Sequence, residues 1–310
     1  MNAPTGVLLL TFGSAVTSAD VPAYLSSVRG GREVPADVLA EFQRRYDVIG
    51  RSPLIDITLA QAAAVQALLD DEDGPGAFVV RAAMLHSAPR VADVINALAA
   101  EGVHDIIGVV LAPQYSSLIL AGYERAATAA RAAHPDIDLR IAGAWHTLPE
   151  WIDSLSDRLA AELDRLPDRH DVPVIFTAHS LPKAVVDRDP AYIEQLRATA
   201  EAVAQRAGLA QNQWLFAYQS AGHTPEPWLT PDVKDLLPGL HDTGARGVLI
   251  APVQFLADHL EILYDIDVAA GDEARELGME LHRVPMPNTS PELIRALAAV
   301  VHRELAVRSA

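Results

Sequence analysis

Val172-Pro173-Val174-Ile175-Phe176-Thr177-Ala178-His179-Ser180-Leu181-Pro182 is the stretch on which the fold turns. A short β-branched and aromatic run breaks off into polar residues and a proline, as a buried strand does where it delivers side chains to a loop. A second stretch repeats this pattern. Gly247-Val248-Leu249-Ile250-Ala251-Pro252 is followed shortly by Asp258-His259-Leu260-Glu261-Ile262-Leu263-Tyr264-Asp265. In an open parallel α/β sheet, ligands bind outside the carboxyl ends of the strands. One such end here offers an imidazole and the other a row of carboxylates. That pairing suits a divalent metal, a proton transfer, or both.

Working outward, apolar runs recur at Gly6–Phe12, Phe78–Met84, Ile106–Ala112, Leu139–Ala144, Trp214–Tyr218 and Leu281–Val284, with alanine-rich helical patterns between them. Strands alternating with helices imply βαβ units and a mainly parallel sheet, so the expected class is α/β. Four runs in each half indicate two similar units. An internal echo points the same way: Gly108-Val109-Val110-Leu111-Ala112-Pro113-Gln114-Tyr115 resembles Gly247 to Phe255, each an apolar run ending at Ala-Pro and followed by glutamine and an aromatic. Duplication and convergent strand-end chemistry both account for so short a match. The boundary is expected between Trp145 and Asp171, where a helix from Glu150 to Leu166 meets the turn Pro167-Asp168-Arg169-His170, dividing the chain into 1–150 and 151–310. A last amphipathic helix is expected over Leu293–Val307, with Ser290 capping and Pro291 at its first position. Which domain it packs on, the first included, is open.

Composition narrows the chemistry. The 310 residues contain no cysteine, so disulfides, thiolate catalysis and cysteine-ligated zinc or iron–sulfur clusters are excluded, and any metal must use nitrogen and oxygen ligands. Forty-one acidic against 24 basic residues give a net charge of −17. That field disfavours nucleic acid and anionic membrane as partners. The first apolar run is far shorter than the roughly 20 residues of a membrane span, and no signal-like segment precedes it, so a cytoplasmic protein without an integral membrane segment is expected.

If Ala257 to Ile266 is a helix, Asp258, Glu261 and Asp265 share one face, while His259 points elsewhere. Such a face is either a cation site or merely solvated. His179 is either a ligand or proton acceptor, or a loop histidine bonded to a carbonyl. His86, His146, His223 and His259 also lie near strand ends, without any paired-histidine metal motif. Ser180 has no Gly-x-Ser-x-Gly setting, and no glycine-rich phosphate loop is present. A third cluster, Arg29-Gly30-Gly31-Arg32 with Arg44-Arg45-Tyr46 and Arg51-Ser52, is either a receptor for carboxylates or a set of exposed helix-end charges.

Together these residues resemble the ferrochelatase family almost end to end. The likeness runs through Gly6–Gly13, Tyr24-Leu25 to Arg32, Arg45-Tyr46, Ile49-Gly50, Ser52-Pro53-Leu54 and Leu111-Ala112-Pro113. It continues in Ala178-His179-Ser180-Leu181-Pro182, Gln219-Ser220, Thr224-Pro225-Glu226-Pro227-Trp228-Leu229 and Asp258 to Asp265. The resemblance, strongest to the soluble coproporphyrin III enzymes, implies two Rossmann-like domains, each with a mainly parallel four-stranded sheet flanked by helices, clasping a porphyrin. It implies Fe²⁺ insertion with loss of two protons in haem biosynthesis. His179 and Glu261 match the facing catalytic and metal-handling pair. Phe12, Arg29, Arg45, Tyr46, Ser52 and Tyr123 match porphyrin-binding positions, Trp228 and Ile119 a porphyrin wall, and Asp258 and Asp265 a secondary acidic face. Coproporphyrin III is the expected substrate, giving coprohaem, with protoporphyrin IX the alternative and a non-catalytic porphyrin or haem carrier the rival of another class. Porphyrin and Fe²⁺ are the expected partners of a monomer, with no tightly bound cofactor.

Three departures stand out. Phe12 replaces a tyrosine often found in coproporphyrin enzymes, so this position cannot ligate product iron. Val268-Ala269-Ala270 stands where a further carboxylate often follows Asp265, which leaves Asp272 as the substitute to check. The cysteine set of cluster-bearing members is missing.

Overall fold

The computed structural model describes residues 3–167, 172–222 and 225–309. Of the turn expected at Pro167-Asp168-Arg169-His170, the last three residues lie outside the described residues, as do Asp171, His223 and Thr224. Among the described residues, eight strands form two separate four-stranded sheets. The first holds β1 (Thr5–Thr11), β2 (Phe78–Met84), β3 (Asp105–Val110) and β4 (Asp138–Ile141); the second holds β5 (Val174–His179), β6 (Trp214–Gln219), β7 (Gly247–Pro252) and β8 (Glu280–Arg283). Every pairing is parallel. This is why the inner strands read as continuous apolar runs, since helices cover both faces of a parallel sheet there, while the edge strands β4 and β8 keep exposed residues.

The two sheets share one spatial order, β2-β1-β3-β4 and β6-β5-β7-β8. The echoed runs around Gly108 and Gly247 therefore occupy equivalent third places. In each sheet the chain reverses its direction of winding beside the first strand, which opens a crevice between the carboxyl ends of β1 and β3, and of β5 and β7.

The helices are α1 (Val21–Val28), α2 (Ala36–Ile49), α3 (Leu54–Asp73), α4 (Val91–Ala100), α5 (Ser117–Ala133), α6 (Pro149–Leu163), α7 (Lys183–Val186), α8 (Ala191–Arg206), α9 (Val233–Asp242), α10 (Leu260–Leu263), α11 (Gly271–Glu276) and α12 (Pro291–Ser309). Among the described residues no single helix is long and apolar enough to cross a membrane. The α12 helix starts as its sequence indicates: Leu293 N–H donates to Ser290 Oγ at 3.3 Å, and Pro291 takes the first position. It packs against α6, α3 and β3. The large core runs through elements of both sheets, with Trp145 and Trp151 fully buried and their rings 5.4 Å apart.

A smaller cluster decides where the site forms. Ala15 after β1, Val21 and Leu25 of α1 and Tyr46 of α2 pack on Leu260 of α10 and Tyr264. The N-terminal helices are thereby held against the segment that follows β7.

Candidate active site

His179 is the last residue of β5, and Glu261 lies in the first turn of α10. The crevice of the second sheet brings them together, with His179 Nε2 3.6 Å from Glu261 Oε1. Both side chains are partly accessible, so the pair faces an opening. On its other nitrogen, His179 Nδ1 meets the Ser180 carbonyl. A carbonyl only accepts, so Nδ1 carries hydrogen and Nε2 is the position that changes state.

The surroundings displace both acidities. Burial alone would lower His179, but the charge and hydrogen bond of Glu261, the Ser180 carbonyl and Asp265 outweigh it, and the imidazole is raised above its ordinary 6.5. Burial alone would raise Glu261, but His179 and His259 outweigh it, and the carboxyl lies far below its ordinary range. Glu261 is further fixed through its backbone: Gln219 Nε2 donates to the Glu261 carbonyl at 2.9 Å, and Gln219 Oε1 accepts from Thr177 at 2.8 Å.

Two expectations from helical spacing need correction. Residues 257–266 are not one helix. His259 has φ −160° and ψ −177° as the N-cap residue, α10 is a single turn, and a π-helical segment covers Asp265–Ala270. His259 consequently turns toward the site, its Nε2 3.5 Å from Glu261 Oε2 and its Nδ1 2.9 Å from the Ala257 carbonyl. Asp258, in the loop ahead of the cap, leaves the shared face altogether. Its carboxylate accepts from Asn288 Nδ2 at 2.7 Å and meets Arg283 at 3.3 Å.

Asp265 does stay beside Glu261, one wide turn along. The Ser220 hydroxyl donates to it, and Arg45 Nη1 lies 3.2 Å away. Burial raises its pKa, the Ser220 hydrogen bond and the Arg45 charge pull it back, and the Glu261 charge pushes it up, leaving it raised overall. Ser220 pays for this contact with a left-handed backbone, φ 59°, a strain that such sites tolerate when the surroundings hold it. Arg45, Ser220, Asp232, Lys234 and Asp265 line a cavity of about 330 Å³ beside the pair. Ala269 lines it without a charge, and Asp272 is turned to solvent in an ion pair with Arg275, so Asp272 does not extend the acidic row.

The remaining candidates fall into two groups. Phe12 is 45 % exposed just past β1, its ring 4.4 Å from that of His86. Trp228 stands with its ring 6.5 Å from His179, and a side chain at Gly222 would collide with it. Ile119 packs against the buried cluster that contains Ala178, Leu181 and Tyr192. Arg29 is partly exposed after α1, its Nε donating to the Glu33 carbonyl. The other polar candidates are covered. Tyr46 and Ser52 are each 1 % exposed and are joined by Ser14 Oγ at 2.8 and 3.0 Å, while Tyr123 lies in the large core. Tyr46 still senses the pair: burial lifts its phenol to about 12 and the Glu261 charge contributes. His146 lies by the Thr199 hydroxyl, which donates to its carbonyl.

Sequence reasoning passed over three side chains that shape the site: Gln254, Tyr192 and Ser14. The echoed glutamine was a signal for the first. Tyr192 and Ser14 had none, since a buried tyrosine and a loop serine are common in any core.

A nitrogen and an oxygen donor thus face each other at the strand-end crevice of the second sheet, within a fold of two parallel sheets that solved chelatases share. The fold is similar to that of the sirohydrochlorin chelatase SirB from Bacillus subtilis subspecies spizizenii, solved with cobalt, at TM-score 0.59 and 11 % identity over 96 % of this chain and 94 % of that one. It is also similar to CbiX, the terminal enzyme of sirohaem biosynthesis in denitrifying bacteria, at TM-score 0.53 and 14 % identity over 97 % and 98 %. Within that class the ferrochelatase family model matches residues 4–305. The chain is 39 % identical to the ferrochelatase of Deinococcus radiodurans over 98 % of its length and 96 % of the relative's. It is 36 % identical to the coproporphyrin III ferrochelatase of Geobacillus thermodenitrificans over 97 % and 96 %. The chain belongs to the ferrochelatase family.

Proposed function

We propose that the protein inserts Fe²⁺ into coproporphyrin III, giving coprohaem and two protons, in haem biosynthesis. The observation that carries this reading is the His179–Glu261 pair, 3.6 Å apart at the crevice of the second sheet. Insertion needs a group to receive protons from the ring nitrogens and a group to hold a divalent cation. The displaced acidities favour a division of these tasks. A carboxylate held far below its usual range keeps its charge for iron and is a poor base, whereas an imidazole raised above 6.5 is a good proton acceptor near neutral pH. Imidazole and carboxylate both suit ferrous iron, and donors of this kind rank first-row metals only by the general affinity order.

A planar macrocycle presents its nitrogens poorly to a metal arriving from one face. Apolar walls that bend the ring expose those lone pairs. Phe12, Trp228 and Ile119 are assigned to that wall. Arg29 and Arg45 are assigned to the ring edge and its carboxylates, whereas Tyr46, Ser52 and Tyr123 are covered and present no surface for direct contact. Among these Arg29 is the group best disposed to meet a carboxylate directly, and Tyr46 and Ser52 act through the Ser14 they hold. We place the activity in a cytoplasmic monomer.

Two facts support coproporphyrin III over protoporphyrin IX. Relatives from several genera carry the coproporphyrin III name at 34–36 % identity. Five arginines also gather between residues 29 and 51 of a chain with net charge −17, and a substrate with four carboxylates uses them more fully than one with two. Anaerobic Fe²⁺ insertion, followed by absorbance with both porphyrins in parallel, tests the reading. Faster coproporphyrin turnover is expected. Faster protoporphyrin turnover would overturn the substrate, and tight binding without insertion would point to a carrier.

A further inference from the structure

Three hydrogen bonds close a ring around the peptide of His179. Its N–H donates to Gln254 Oε1 at 2.9 Å, Gln254 Nε2 donates to the Tyr192 hydroxyl at 2.8 Å, and that hydroxyl donates to the His179 carbonyl at 3.1 Å. Tyr192 is 0 % and Gln254 5 % exposed, so water does not compete for these groups.

The ring exists because the ladder has run out. Pairing of β5 with β7 stops at Thr177 and Pro252, and the chain then turns away, its last tie being Val253 N–H to the Thr177 carbonyl at 2.9 Å. The His179 N–H lies one step beyond, where a backbone acceptor from β7 would continue the ladder. The Gln254 side chain takes that place. Its counterpart in the echoed run, the fully buried Gln114, reaches across from the end of β3 and donates to the Val253 carbonyl at 3.1 Å and to Thr199 Oγ1 at 2.8 Å. The His179 N–H and carbonyl need partners where the ladder ends, and these two side chains, Gln254 and Tyr192, supply them while also bonding to each other.

We propose that Gln254 and Tyr192 are positioning residues for His179, orienting its imidazole toward Glu261, and that Gln114 ties this support to the first sheet. The proposal rests on the reading that His179 works in metal insertion. Fixing the peptide fixes the Cα–Cβ direction, and such supporting bonds commonly govern about 10- to 100-fold in activity.

The test uses Tyr192→Phe, which removes only a hydroxyl, Gln254→Met and the double variant. Fe²⁺ insertion kinetics, thermal midpoints and the NMR signal of the His179 ring, identified by its loss in His179→Asn, are compared. The expected result in Tyr192→Phe is a roughly tenfold or larger fall in kcat with porphyrin KM held, a fall larger than a modest drop in midpoint accounts for, and a shifted His179 signal. The double variant should add little, because both changes open one ring. Wild-type kcat with an unmoved His179 signal would overturn the proposal, as would a lowered midpoint with unchanged kcat. If the wild-type protein inserts no iron, the functional reading falls, and the His179 signal alone decides the positioning role.

Discussion

Arg45 and Asp265 are 220 positions apart, and their charged groups meet at 3.2 Å. The contact ties α2 to the π-helical segment beside Glu261. Arg45 also holds Glu41 at 2.8 Å, and with Arg44 it keeps that carboxyl down at about 2. The arginine thus holds the N-terminal helical layer over the site as well as lending it charge.

Replacing Arg45 by alanine should loosen that layer and leave the largely buried Asp265 without its cation. Stability is expected to fall by about 1–3 kcal/mol, read from urea unfolding. Porphyrin affinity, read from fluorescence quenching, should weaken as well. Unchanged affinity would remove Arg45 from the porphyrin-binding set and leave it a purely structural tie.

His179→Ala should abolish iron insertion while porphyrin binding persists, because the imidazole is needed for proton or metal handling and the apolar walls remain. Single-turnover absorbance with pre-bound porphyrin separates the two. Wild-type turnover in this variant would sink the assigned role.

The His179–Glu261 pair makes stability depend on pH in a definite direction. The raised histidine contributes fully below 6.5, and that contribution is lost as pH climbs through its higher folded value. The depressed carboxyl contributes fully above 4.5 and loses its share as pH falls toward its lower folded value. The stability gap between the wild-type protein and Glu261→Gln should therefore be widest between about 4.5 and 6.5 and shrink toward alkaline pH. Insertion should follow the opposite course, rising as His179 loses its proton. Chemical denaturation across pH checks the first point, and a gap that does not vary with pH would refute it.

Asp258→Asn separates structure from chemistry. Because Asp258 faces Arg283 and Asn288 rather than Glu261, losing its charge should cost about 1–3 kcal/mol of stability with kcat close to wild type. A large fall in kcat at unchanged stability would return Asp258 to the acidic face.

Much of this was legible beforehand. All eight strands coincide with apolar runs read from the sequence, because a parallel sheet buried on both faces leaves a contiguous signal. The likeness to ferrochelatases singled out His179 and Glu261 as a facing pair, and the structure places their side chains together. Misreadings arose where local periodicity was trusted. Spacing in the segment after β7 assumed a regular helix, whereas the extended N-cap at His259 and the loop ahead of it re-aim His259 and Asp258, and only Asp265 stays beside Glu261.

The sequence by itself determined the α/β class, the strand positions, the exclusion of cysteine chemistry and the strand ends that carry polar groups. These depend on composition and on order along the chain, which no folding event alters. Tertiary structure alone decided that β5 lies beside β7, so that His179 meets Glu261 and His259, that Arg45 crosses 220 positions to reach Asp265, and that Gln254 and Tyr192 close around His179. Distances of this kind depend on strand order and on backbone geometry at element ends, and neither leaves a periodic trace in a single sequence.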